Sequence, residues 1–302
     1  MEARHLDLLR ELADRGSVTA VAEATRRTPS AVSQQLKTAQ RELGVRLVEP
    51  SGRGLRLTPA GAVLAAAGRD VSAALERAQA QWDEFQGVAT GLVAIAALPS
   101  AATFLLPGVF DELADEPIAL QCNDFDIAEV EWGGLVNDHD IVIAHSMTSR
   151  APAGTKGLKT VRLVREPLDI AMAADHPLAR RREVTAAEVA GEEWVGVPIG
   201  YPFDRVLQSI ARETGATLRI SQRLRDNRLI ESLVASGHRL AVLPRFTTPQ
   251  TGEVVLRPLR DIPTGRHVFA VLRPDKAERF VVRRVLEAFV DVASRRAQPL
   301  VE

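Results

Sequence analysis

Leu6, Leu9, Leu12 and Ala13 recur at the spacing of one helical face, which predicts a helix over 4–15, and Gly16 ends it with a residue that tolerates left-handed geometry. Ser17 suits the cap of a short second helix over 18–25, whose Val21, Ala22 and Ala24 are small enough for close packing. Thr28-Pro29-Ser30 supplies a cap and a first-turn proline, where the missing N–H costs nothing, so a third helix starts near Pro29. Along it Val32, Leu36, Ala39 and Leu43 form the inward stripe, while Ser30, Ser33, Gln34 and Lys37 fall on polar faces. Gly44 closes that helix, and Leu47-Val48 and Leu55-Arg56-Leu57 flank Pro50-Ser51-Gly52-Arg53-Gly54 as two short strands around a turn, a basic wing. Short hydroxyls, an amide and a lysine on the third helix are able to meet base edges and phosphates, whereas long acidic side chains there would repel a duplex.

From Thr58 to Pro99 no interior proline interrupts the chain after Pro59, and Leu64, Ala67, Val71, Ala74, Ala78, Gln81 and Phe85 alternate steps of three and four, the seam of a coiled coil. With Thr58 as cap, Pro59 in the first position and Gly87 beyond the end, a helix of about 28 residues spans roughly 42 Å. Its alanines allow close approach of the same helix from a second subunit, which makes a homodimer the first expectation; packing on the chain's own second domain is the alternative.

Val88-Ala89-Thr90-Gly91 reads as a hinge, after which strand-like and helix-like runs alternate. Strands are expected at 92–98, 118–122 and 140–144, with a helix after Ser100. A second series opens at 168–173 and continues through a Thr185-Ala186-Ala187-Glu188 capping box, a strand at 194–197, a helix over 204–212 and strands at 218–221 and 240–243. A strand at 268–272 and a helix over 277–295 close the chain. The expected organisation is a DNA-binding unit at 1–58, a linker helix at 59–87 and an α/β unit at 88–302, one lobe of which takes about 92–161 and 267–302 and the other about 162–266. Ligands in open α/β sheets sit beyond the carboxyl ends of parallel strands, where helix N-termini present free N–H groups. That rule nominates Ser100 and Thr103, His145 and Ser146, and the 198–203 loop with Pro198, Tyr201 and Phe203. Such N–H groups and hydroxyls suit an anionic ligand, a carboxylate or a phosphate.

The formal net charge of −1 conceals an uneven distribution. Residues 1–60 hold ten Lys/Arg against seven Asp/Glu, net +3, and between 26 and 56 seven cations (Arg26, Arg27, Lys37, Arg41, Arg46, Arg53, Arg56) face only Glu42 and Glu49. A local basic patch on a near-neutral protein fits phosphate contact. Cys122, the single cysteine, excludes an internal disulfide and agrees with a reducing cytoplasm. Met1-Glu2-Ala3-Arg4 leads into an amphipathic, mixed-charge segment and no run of about 18 apolar residues occurs, so neither export nor membrane insertion is expected.

Enzymatic readings rest on little. Cys122 with His139 or His145 would suggest a thiol nucleophile, and Asp138, His139, Asp140 and His145 a metal site, but no zinc-protease, Walker, nucleophile-elbow or dinucleotide motif accompanies them. No catalytic residue, cofactor or metal is expected. An exported solute-binding protein would explain two lobes but would need a signal peptide and leaves residues 1–86 without a role.

Gly16-Ser17-Val18-Thr19-Ala20-Val21-Ala22, Thr28-Pro29-Ser30-Ala31-Val32-Ser33-Gln34-Gln35-Leu36, Leu43-Gly44-Val45-Arg46-Leu47 and Leu57-Thr58-Pro59-Ala60-Gly61 follow in an order and spacing that resemble the LysR-type transcriptional regulators. Looser motifs extend the resemblance over essentially the whole chain: Leu106-Pro107, Ala174-Asp175-His176-Pro177-Leu178 and Leu233-Val234-Ala235-Ser236-Gly237 before Leu243-Pro244. The resemblance implies a winged helix-turn-helix with a linker helix, then two Rossmann-like lobes resembling periplasmic solute-binding proteins, with a small-molecule effector between them. It implies base-edge roles for Pro29, Ser30, Ser33 and Gln34, phosphate roles for Ser17, Thr19, Lys37, Arg53 and Thr58, and a homodimer or homotetramer on double-stranded DNA. The chain departs from the family pattern at Ala39-Gln40, at Leu47-Val48-Glu49-Pro50 and at Gly237-His238-Arg239.

Overall fold

The computed structural model describes residues 2–52, 54–87, 89–127, 129–148, 150–249 and 252–297. The N-terminal unit is built from α1 (Ala3–Arg15), α2 (Val18–Ala24) and α3 (Pro29–Leu43), followed by the hairpin β1 (Val48–Ser51) and β2 (Gly54–Leu57). Local chemistry sets these boundaries. Ser17 and Thr28 each accept a backbone N–H from three residues on, and Gly16 and Gly44 close α1 and α3 in left-handed conformation at φ 71° and 66°. Leu8, Leu9, Leu12, Val21, Val32, Leu36 and Leu47 make the small core. The first wing strand starts at Val48 and carries Pro50 and Ser51, so the turn is two residues shorter on its N-terminal side than the Pro50–Gly54 turn read from the sequence.

Helix α4 (Pro59–Gln86) runs 28 residues from a Thr58 cap to a left-handed Gly87. Its own-chain contacts use Gly61, Ala65, Gly68, Ala73 and Ala80. A Cβ at Gly61 would stand 2.0 Å from the Leu47 carbonyl oxygen, and one at Gly68 2.5 Å from that of Leu6, so α4 is seated against the DNA-binding unit as closely as a helix allows. Most of the expected seam lies on another face: Val71, Ala74, Ala78, Gln81 and Phe85 are exposed, as are neighbouring Leu75 and Trp82.

Two five-stranded sheets follow. Lobe I has β3 (Gly91–Ala97), α5 (Pro99–Glu112), β4 (Ile118–Asp124), a 3-10 segment at Glu129–Asn137, β5 (Ile141–Ser146), β6 (Lys159–Glu166), β12 (Arg266–Leu272) and α9 (Phe280–Ala297), with strand order β4-β3-β5-β12-β6. Lobe II has β7 (Leu168–Ala173), α6 (Ala186–Val189), β8 (Glu193–Gly196), α7 (Asp204–Thr214), β9 (Arg219–Arg223), α8 (Asn227–Ala235), β10 (Arg239–Pro244) and β11 (Val254–Arg257), in order β11-β7-β10-β8-β9. β3 pairs in parallel with β4 and β5, and β8 with β9 and β10, so the carboxyl ends of both parallel sets face the cleft residues described below. The expected lobe boundary at 162 falls inside β6. That strand pairs with β12 from Lys159 to Glu166, so the chain leaves lobe I at Pro167.

Candidate DNA-reading surface and effector cleft

On the N-terminal unit, Pro29, Ser30, Gln34 and Lys37 are exposed on α3 and Ser33 is half-buried beside them. One face of α3 thus carries the base-edge candidates together with Lys37. The turn into α3 holds Arg26 at φ 52°, a left-handed non-glycine residue that costs about 1–2 kcal/mol and brings Arg26 and Arg27 to the surface next to that face. Gln35 is occupied otherwise: it donates to the Arg4 carbonyl at 2.8 Å and accepts from Arg27 at 2.5 Å. Ser17 and Thr58 act as caps, and the Thr58 hydroxyl also donates to the Arg46 carbonyl at 2.8 Å, which commits its proton within the protein. Thr19 is exposed, and Arg53 lies outside the described residues. On the wing Arg56 pairs with Glu49, its register partner, at 2.7 Å.

Between the lobes lies a cavity of about 460 Å³. Ser100, Thr103 and His145 line it from lobe I, and Tyr201 and Phe203 from lobe II. Pro198 is half-buried off the lining, and Ser146 is buried with its hydroxyl 3.2 Å from Thr148. Sequence reasoning missed Trp132, Asp124, Asp126, Arg225, Asp226 and Arg266. Arg225 and Asp226 were within its reach, since they follow β9 at a parallel strand's carboxyl end. Trp132 and Arg266 carried no such signal.

The deep wall is chemically unusual. Arg266 and Glu166 are both almost fully buried; Nε donates to Oε2 at 2.7 Å, a second guanidinium nitrogen donates to Ser100 Oγ at 2.7 Å, and the group lies 5.4 Å from the Phe203 ring centre. Beside them His145 and Trp132 meet edge to face at 6.0 Å. Both His145 ring nitrogens and Trp132 Nε1 are buried without a hydrogen-bond partner. Burial, and then the positive fields of Arg266 and Arg205, push the His145 imidazole down to about 3, so the ring is neutral. Asp126, across the lining, is pushed up by burial and drawn back by Arg225, which stacks over Tyr201. Glu129 and Arg205 reach across the cleft at 3.7 Å.

Burial raises the Cys122 thiol, disfavouring thiolate. His139 contacts the Leu135 carbonyl, Asp138 pairs with Arg15, and Asp140 receives Arg279 and the Ala94 N–H. Among the described residues no group of three or more His, Cys, Asp or Glu is placed to hold a metal, and no helix is long and apolar enough to cross a membrane.

Two family models cover nearly the whole chain: "Bacterial regulatory helix-turn-helix protein, lysR family" over residues 3–62 and "LysR substrate binding domain" over residues 86–294. The chain belongs to the LysR family. It is a DNA-binding transcriptional regulator with an effector-binding domain, as the N-terminal motifs implied. It is similar to the transcriptional dual regulator GltC of Bacillus subtilis, 25% identical over 92% of each chain. To the Escherichia coli dual regulator OxyR it is 24% identical, over 95% of this chain and 94% of that one. Among solved structures, a variant of full-length OxyR from Pseudomonas aeruginosa shares the fold at TM-score 0.67 and 22% identity, covering 100% of this chain and 99% of that one. LysG of Corynebacterium glutamicum, solved with its effector arginine bound, does so at TM-score 0.61 and 22% identity, over 99% and 100%. Full-length CbnR in complex with its target DNA gives TM-score 0.55 at 19% identity, over 97% and 100%. These LysR-type relatives are transcriptional regulators; none is named as an enzyme.

Proposed function

We propose that this LysR-type regulator reads double-stranded DNA with the Pro29–Lys37 face of α3, and that a small anionic molecule seated against Trp132 and His145 alters the arrangement of its subunits. The observation that carries the effector half is that two residues lining the cleft, His145 and Trp132, keep buried nitrogens without a partner, just behind its wall. Each buried polar atom left without a partner costs about 1–3 kcal/mol, and a ligand oxygen supplies what the protein does not. Ser100 at the start of α5 and the guanidinium of Arg225 on the lobe II side add donors to the same lining. For the DNA half, Ser30, Ser33 and Gln34 sort with base-edge contact, and Thr19, Lys37 and Arg53 with phosphate contact. Ser17 and Thr58 hold phosphate-facing helix ends in place through their caps.

The exposed Val71, Leu75, Trp82 and Phe85 side of α4 is the surface for a second copy, giving a homodimer and, through the sensor, a homotetramer, acting in the cytoplasm. Paired α3 helices then address half-sites one helical turn apart. For regulation, the effector must bind the two arrangements with different affinity.

A thermal-shift screen of millimolar carboxylates, phosphorylated metabolites and neutral analogues tests the cleft. At least one anion should raise the unfolding temperature of the wild-type chain and not of Trp132→Phe or His145→Gln. Equal shifts in all three proteins, or none with any anion, contradict the reading.

A further inference from the structure

The cleft and the DNA-binding unit are connected within one chain over a short distance. Trp132 lines the cleft near the start of the 129–137 segment, and the end of that segment touches α1. Arg15 donates to Asp138 Oδ1 at 2.9 Å and to the Asn137 carbonyl at 3.4 Å, and Asn137 Nδ2 donates to the Asp14 carbonyl at 3.1 Å. Asn137 lies five steps along the chain from Trp132, about 10 Å at the ~2.0 Å rise of a 3-10 helix.

The segment is held as a stiff piece. A Cβ at Gly133 would stand 2.3 Å from the Gly154 carbonyl oxygen, and Lys276 Nζ donates to the carbonyls of Val136 and His139 at 3.1 and 2.8 Å. The segment is thus braced at Gly133 and again at Val136 on either side of the open Gly134.

A second contact closes the same interface. β12 begins at Arg266 on the cleft and is followed by Arg273 and Asp275, which meet α1. Arg10 donates to Asp275 Oδ2 at 3.1 Å, and the Arg273 guanidinium stands 3.5 Å from Asp14 Oδ2. The side chains of Arg10, Arg273 and Asp275 are only 11%, 7% and 10% exposed. At that depth an ion pair is screened far less than on the open surface, and removal of one partner strands the other.

We infer that this ionic clasp regulates the DNA-binding unit from the effector cleft: an occupant that engages Trp132 shifts the 129–137 segment and loosens the hold of Asn137 and Asp138 on α1. The inference rests on the effector reading of the cleft, yet its test needs neither effector nor DNA. Docking protects the roughly sixty-residue N-terminal unit from sub-global opening, so loss of docking is read in its amide exchange.

Hydrogen exchange with mass spectrometry on the full-length chain decides it. Asp138 is 65% exposed, so in Arg15→Gln/Asp138→Asn amides of α1 to α3 should exchange about two- to fivefold faster than in the wild type. Trp132→Leu should give a comparable acceleration in α1 and add less than its own factor in the Arg15→Gln/Asp138→Asn background, because both act on the same segment-to-α1 contacts, of which Asn137 to Asp14 survives. Protection of β3 and β5 reports whether lobe I stays folded; if Trp132→Leu fails that control, Trp132→Phe takes its place in the same cycle. Unchanged α1 exchange in a cleft variant with intact lobe I, or accelerations that multiply in the combined variant, overturn the inference. Either result leaves the thermal-shift outcome standing by itself, so the two failures are distinguishable.

Discussion

Arg266 and Glu166 are register partners on adjacent strands, and their side chains form an almost fully buried ion pair where the chain passes between the lobes: Glu166 ends β6 and Arg266 opens β12. Glu166 also accepts the Phe246 N–H at 3.1 Å, tying the loop after β10 to the same point. Glu166→Gln should destabilise the chain by about 3–5 kcal/mol, because the Arg266 charge is left buried without its counter-charge. Replacing both with apolar residues of similar volume should cost much less. Urea unfolding of the three proteins checks the order.

His145 links stability to pH. Its imidazole titrates near 3 in the folded chain and near 6.5 when unfolded. Stability from this group is therefore complete above about pH 6.5 and is lost as pH falls from there toward 3, since only the unfolded ring takes the proton. Between pH 6.5 and 5 the loss is about 2 kcal/mol. His145→Gln should flatten the urea midpoint over that window relative to the wild type; parallel curves would remove His145 as the source.

Gly68 permits the closest approach of α4 to α1. Gly68→Ala places a methyl group 2.5 Å from the Leu6 carbonyl oxygen, backbone that has little freedom to retreat. A destabilisation of about 1–3 kcal/mol is expected, with weaker DNA binding because the reading unit is displaced on its linker. Circular-dichroism melts and a DNA titration of the same preparation measure both.

The open face of α4 makes a separate prediction. Phe85→Asp with Leu75→Asp should shift sedimentation at micromolar concentration toward monomer while leaving the single-chain fold unchanged, since both side chains are exposed in the isolated chain. Unaltered sedimentation would place the subunit contact elsewhere.

Much of the architecture is legible in sequence because local chemistry marks it. Ser17, Thr28, Thr58 and Thr185 are all caps in the structure, and the left-handed glycines fall where the helices stop. α4 is harder to read. Alanines occur around its whole circumference, so periodicity alone does not tell which face turns inward, and the decision falls to the contacts of Gly61 and Gly68. The lobe boundary moved because β6 pairs with a strand a hundred residues later, a long-range relationship that no local pattern encodes. The cleft loops were found from strand ends, whereas Arg266 sits at the head of a buried strand and Trp132 in a segment without strand or helix periodicity. Both became visible only through the groups they face.

Salt-dependent binding to duplex DNA tests the central claim most directly. Affinity for a sequence selected from random duplexes should fall linearly on a log–log plot against salt, and Lys37→Gln should lower the slope by about one while weakening all sequences alike. Gln34→Ala should change the ranking of sequences that differ at single base pairs, at a cost of about 1–3 kcal/mol for the preferred one. No salt-sensitive binding to any duplex, or a Gln34→Ala variant that keeps the wild-type ranking, would contradict the assignment of α3 as the reading element.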